Sequence, residues 1–153
     1  VTWQPPAGYR RRIPDAEALL LDMVQPLLDA GTPVGRAVTW WPDDTPDLIA
    51  EGIPLVRARK VPGTTEMDGR LVQANLLLSV RTGSRAESWD VLAYLTDELH
   101  RQYWKGGVVS RSDGTRTAVH HCEVEAADQQ LPELDPDWRV VSNVVTLTLR
   151  RTA

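Results

Sequence analysis

The 153-residue sequence contains no nucleophile elbow, no phosphate-binding glycine loop and no paired metal-ligand motif. The commonest sequence signatures of hydrolase, nucleotide-dependent and zinc chemistry are thus missing. Cysteine occurs once, at Cys122, so no intrachain disulfide can form and a reducing assembly compartment is the simplest expectation. Apolar runs are short, and none approaches the ~20 residues that a membrane-crossing helix requires. The opening Val1-Thr2-Trp3-Gln4-Pro5-Pro6 does not read as a secretory signal. Positive charge is also scarce. A formal net charge of -4 argues against sequence-independent binding of nucleic acid, which needs a surplus of cations against phosphate. Internal repeats and low-complexity tracts are absent. Of the 17 basic residues only Lys60 and Lys105 are lysines, a bias we attribute to GC-rich coding rather than to function.

What is present is a patterned chain, 42% hydrophobic and 25% charged, as a globular domain would be. A chain of this length buries roughly 70% of its unfolded surface. Pro5, Pro6 and Gly8 discourage regular structure, so residues 1–13 are expected to form an extended arm, with a basic cluster at Arg10-Arg11-Arg12, ahead of one domain over 14–153. A first helix begins near Asp15, where Asp15 and Glu17 suit the positive end of the helix dipole. Leu20, Met23 and Leu27 form its apolar stripe, flanked by Leu19 and Val24. Pro26 should weaken the last turn before Gly31.

Strand one is predicted over Arg36–Trp41, with Val38 and Trp40 on one face and Thr39 and Trp41 on the other. Pro42 to Gly52 is read as an acidic loop. Strand two covers Leu55 to Val61, with Val56 and Ala58 facing away from Arg57 and Arg59. Pro62-Gly63 opens a turn and Asp68-Gly69 closes it, so Leu55 to Thr82 reads as one long hairpin. Its second arm alternates cleanly: Val72, Ala74, Leu76, Leu78 and Val80 against Gln73, Asn75, Ser79 and Arg81. Ser84-Arg85-Ala86-Glu87 reads as a capping box, with Ser84 and Glu87 each satisfying a helix donor. The second helix then carries the stripe Trp89, Leu92, Leu95, Thr96, Leu99 and Tyr103, and stops at Gly106-Gly107. Strand four is placed at Arg116 to Ala126 and strand five at Arg139 to Arg150, separated by an acidic loop from Asp128 to Asp137. In strand five Val145, Leu147 and Leu149 share one face. The expected fold is therefore α+β: a mainly antiparallel five-stranded sheet with two helices on one face, in the order α-β-β-β-α-β-β.

Two kinds of candidate site emerge. His121, Glu123 and Glu125 alternate onto one face of strand four, with His120 and Cys122 on the other, and three such side chains could take part in holding a divalent ion. A two-residue ligand spacing is unspecific, and a solvated polar face with a small buried thiol behind it explains the same pattern, so no metal or cofactor is expected. The second kind is an interface. Arg57, Arg59 and Lys60 on the hairpin, together with Arg10 to Arg12 and Arg150-Arg151, could touch phosphate or pair with acidic segments of a neighbouring subunit. Those segments are Asp43, Asp44 and Asp47 in one loop and Glu133, Asp135 and Asp137 in the other; the negative net charge favours them over phosphate. If Trp40 faces the core, strand alternation turns Trp41 outward as an apolar anchor, since tryptophan is enriched where interfaces concentrate their energy. Cover by a loop of the same chain is an equal alternative.

The element order, the segment Ser84-Arg85-Ala86-Glu87-Ser88-Trp89 opening the second helix, and the closing strand Trp138-Arg139-Val140-Val141-Ser142-Asn143-Val144-Val145-Thr146-Leu147-Thr148-Leu149-Arg150 resemble the tail terminator proteins of long-tailed bacteriophages. The resemblance covers about residues 15 to 151 and leaves the arm unmatched. It implies a structural virion protein, not an enzyme, assembled in the host cytoplasm into a homo-oligomeric ring, a hexamer in this family. The ring would end the tail tube, present a surface to the head connector, and meet DNA only as it passes through the lumen. No contact with a membrane is implied. Another neck component, for head completion or for joining tail to head, remains an alternative in the same class. A small metal-dependent enzyme using His121, Glu123 and Glu125 is the alternative from a different class.

Overall fold

The two longest strands, β4 (Leu71–Arg81) and β7 (Val140–Arg150), lie side by side and antiparallel, in register from Leu71 opposite Arg150 to Arg81 opposite Val140. The computed structural model in which they occur describes residues 2–11, 13–61, 65–67, 70–125 and 140–150. Because both strands alternate with a period of two, this register gathers Val72, Ala74, Leu76, Leu78 and Val80 with Val141, Val145, Leu147 and Leu149 on one face, all buried. Onto that face pack α1 (Ala16–Asp29) and α3 (Arg85–Tyr103). Leu19, Leu20, Met23, Val24 and Leu27 of α1 and Leu92, Leu95 and Leu99 of α3 complete the core, with Trp89 and Tyr103 half-buried at its margin. Full burial of each such aliphatic side chain stabilises by about 1.5–3 kcal/mol.

Among the described residues the sheet has seven strands rather than five. Six follow the order β1-β2-β4-β7-β6-β5, and β3 (Thr65–Met67) pairs beside them with β4. The remaining strands are β1 (Arg36–Val38), β2 (Leu55–Lys60), β5 (Gly107–Ser110) and β6 (Arg116–Val124). A six-residue helix, α2 (Thr45–Ala50), lies in the segment read as a plain loop, so the order is α-β-α-β-β-β-α-β-β-β. The α+β class and the mainly antiparallel pairing hold, and among the described residues the one parallel pair is β1 with β2. The sequence carried signals for two of the added elements. Pro46 directly after Thr45 suits a helix start. Asp113-Gly114 is a turn pair, and Gly114 takes φ 85° in the loop joining β5 to β6, where Arg111 N donates to Thr115 O at 2.8 Å.

The caps follow expectation with one change. Asp15 Oδ1 accepts from Glu17 N and Ala18 N at 3.1 and 3.3 Å and starts α1. Ser84 Oγ accepts from Glu87 N at 3.2 Å and starts α3. The reciprocal half of the capping box is not made by Glu87: Ser84 N donates to Thr82 Oγ1 at 3.3 Å, because the buried Thr82 hydroxyl already stands beside the cap on Ser88. Pro26 does not end α1, and the Tyr94 hydroxyl ties its last turn to α3 by donating to Leu27 O at 3.0 Å. The turns expected at Pro62-Gly63 and Asp68-Gly69, and the loop from Asp128 to Asp137, lie outside the described residues.

Strand β6 departs from alternation through a bulge. Val119 pairs with Leu149 and His121 with Thr148, so His120 is the extra residue and Val119 and Cys122 both reach the core although three positions apart. His121 and Glu123 share the opposite face, as expected. The bulge is held from outside by Gly106, at φ 86°, where an added Cβ would stand 2.7 Å from His120 O.

One ion pair joins α1 to the turn beyond β5. Arg111 Nε donates to Asp22 Oδ2 at 2.7 Å, Arg111 Nη1 to Thr117 Oγ1 at 3.1 Å and Ser112 N to Asp22 Oδ2 at 3.4 Å, with both ionic side chains mostly shielded from solvent. Asp22→Ala leaves a half-buried guanidinium without its carboxylate and is expected to destabilise the fold by about 1–3 kcal/mol in urea unfolding. An unchanged midpoint would mean that the hairpin is positioned by its core residues alone.

Candidate functional site

The described residues among the predicted interface set lie on β2 and in the segment that follows β1, and the exposure of Trp41 and Arg57 differs from the expectation. Alternation to Trp41 required an extended chain through residue 41, but β1 ends at Val38 and the chain bends at Thr39 and Trp40. The faces of the two tryptophans are therefore exchanged. Trp40, expected in the core, is 79% exposed. Trp41, expected to face outward, folds back half-buried with the Arg57 guanidinium 4.7 Å from its ring centroid. A cation over an indole contributes about 0.5–2 kcal/mol, more as water is excluded, and Arg57 is only 9% exposed. Trp41 and Arg57 thus contact each other within the chain, and the exposed cations of this segment are Arg59 and Lys60.

The acidic segment keeps its predicted character. Thr45 and Leu48 are buried and fix α2 to the body of the protein, with the Thr45 hydroxyl hydrogen-bonded to Pro42 O. Asp43, Asp44, Asp47 and Glu51 stay exposed, and among the described residues none of them forms an ion pair. Glu133, Asp135, Asp137 and Arg12 lie outside the described residues.

The two edges of the sheet differ. On β1 the Gln25 side chain takes the place of a further strand: its Oε1 accepts from Ala37 N at 2.9 Å and its Nε2 donates to Gly35 O at 3.1 Å. A periodicity reading had no means to find Gln25, since the residue lies off the apolar stripe of its helix. On the other side no described strand lies beyond β5, and Val108 is 53% exposed there. Past the end of β5, Trp104 packs against β6. His121 Nδ1 donates to Trp104 O at 2.6 Å, and the two rings meet edge to face at 4.6 Å. His121 Nε2 lies 4.0 Å from Glu123 Oε2. One imidazole nitrogen is therefore committed to a backbone carbonyl, and among the described residues no three His, Cys, Asp or Glu side chains are grouped closely enough to hold a metal ion.

The described residues thus form an α+β fold with one β-sheet edge held by Gln25, an exposed acidic segment and several exposed aromatic side chains. A sequence model of a family described as phage tail termination protein matches residues 12–153. The chain belongs to this family, a structural family of the phage tail. No curated protein matches the chain. The matched region takes in both helices of the core and every described strand, and leaves out residues 1–11, in agreement with the resemblance read over about residues 15 to 151.

The single thiol behind this surface is chemically quiet. Burial pushes Cys122 up from the ordinary 9.0 to about 12. Below pH 9 the group is neutral in both folded and unfolded chains. As pH rises from 9 towards 12 the unfolded chain ionises first, so the stability that this group contributes is lost across that window. Folded protein at pH 8 is expected to resist a thiol-specific reagent and to react at one site per chain in denaturant. Rapid labelling of the folded chain would show that the β6–α3 contact opens readily.

Proposed function

We propose that this chain is a tail terminator: a homo-oligomeric ring, a hexamer, that caps the tail tube, stops its polymerisation and presents the surface on which the head connector docks. The family match over residues 12–153 carries this reading. A ring demands a heterologous interface, with two different patches on every subunit. The basic patch is Arg59 and Lys60 at the end of β2, and the acidic patch is Asp43, Asp44 and Asp47, with Glu133, Asp135 and Asp137 as a second acidic segment. Exposed pairs of this kind contribute commonly under about 1 kcal/mol each, so they set orientation more than affinity. Affinity comes from aromatic anchors at the same edge and from the tube beneath. Isolated subunits accordingly associate weakly, and the ring is stable mainly on its template. DNA meets the protein only in the lumen, and the site of action is the neck of the virion.

Deleting the gene and imaging the tails by electron microscopy tests the reading. Overlong tubes without heads are the expected result. Tails of normal length carrying intact heads would overturn the assignment.

A further inference from the structure

Residues 2–11 form neither helix nor strand, are exposed throughout, and precede the family match. Yet they are not featureless. Tyr9 N donates to Pro6 O at 3.1 Å across a turn in which Gly8 takes φ 89°, a conformation that favours glycine at the third turn position. That turn brings Trp3, Pro5, Pro6, Tyr9 and Arg11 around a hollow of about 490 Å³. Trp3 is 79% and Tyr9 64% exposed, and among the described residues Arg10 forms no ion pair, whereas Arg11 pairs with Asp15 of its own chain at 3.6 Å. A proline-aromatic hollow edged by Arg11, with Arg10 next to it along the chain, suits an indole flanked by carboxylates.

The same chain displays such a feature elsewhere. Trp40 is 79% exposed, and the segment 42–52 that follows it holds Asp43, Asp44, Asp47 and Glu51 with no lysine or arginine. Trp40 does not line the arm's hollow in its own chain. We infer that the arm is a strap between neighbouring copies, its hollow receiving the neighbour's Trp40 and its Arg10 facing the neighbour's Asp43 and Asp44. The contact is heterologous, arm on one copy and patch on the next, which is the geometry a ring requires. Apolar and charge complementarity meet at one place, and both halves are solvent-exposed in the single chain. A preformed turn lowers the ordering cost of docking. The inference rests on the ring reading and adds to it a contact outside the family's matched region. The ring therefore persists without the strap on its template, but is weaker free in solution.

The test uses the intact chain and paired cysteine variants, with buried Cys122 as a silent background. Separate Arg10→Cys and Asp44→Cys proteins, mixed and oxidised, are expected to give a mixed disulfide in clear excess over a mixture of Arg10→Cys with Asp97→Cys, an exposed helical control. Trp40→Ser and removal of residues 1–11 should each weaken self-association by at least about tenfold in sedimentation equilibrium, and raised salt should weaken the intact chain in the same direction. Cross-linking no greater than in the control overturns the strap, as does undiminished association without the arm. Either result can occur while tails still end at their normal length, which leaves the ring standing. Overlong, uncapped tails are not expected from arm deletion.

Discussion

Parity between β4 and β7 is the constraint on which the rest of the molecule depends. Their register runs through the whole length of both strands, and each has one face of aliphatic side chains. A slip by one residue would turn Leu76, Leu78, Val145 and Leu147 away from α1 and α3 and put Asn75, Thr146 and Thr148 against them. The back face shows that its polar residues are matched as well: Ser79 and Ser142 share a 2.8 Å hydrogen bond, and the Thr146 hydroxyl donates to Asn75 Oδ1 at 3.0 Å. Hydrophobic burial on one side and hydrogen-bond pairing on the other thus select the same register. Everything at the periphery, including the acidic segment and the sealed edge, is carried on that central pair.

The central elements were legible in the sequence because each one announces a period. Val72 to Val80 and Val145 to Leu149 alternate, Leu92, Leu95 and Leu99 recur at helical spacing, and Asp15 and Ser84 mark helix starts. The misreadings fall where periodicity has little purchase. β3 and β5 are three and four residues long, too short for alternation to stand out. The two tryptophans after β1 were assigned faces by extending a strand that the chain leaves at Val38. The bulge at His120 is invisible to a strict alternation, yet it is what lets Val119 and Cys122 both point inward.

The candidate surface was legible as chemistry and less so as geometry. The acidic residues of the α2 segment are exposed, as a run without neighbouring cations suggests. Arg57 is different: its charge read as available, but the back-folding of Trp41 takes it into the protein. Which of two adjacent tryptophans is free depends on a bend of two residues, and nothing in composition or spacing records it. Gln25 belongs to the same class of feature. A polar residue off the helix stripe looks like solvent decoration until the strand it completes is known.

That glutamine bears on how copies of this protein can and cannot accumulate. Sheets extend without limit only when each copy offers two unsatisfied borders, one to give and one to receive. With Gln25 holding Ala37 N and Gly35 O, the β1 border is occupied from within its own subunit. Among the described residues β3 and β5 keep an outer border that no described strand covers, so the glutamine closes one of the places where the backbone of another copy could pair. In this member of a phage tail termination family, strand-by-strand addition of copies at the β1 border is thus blocked from within the subunit.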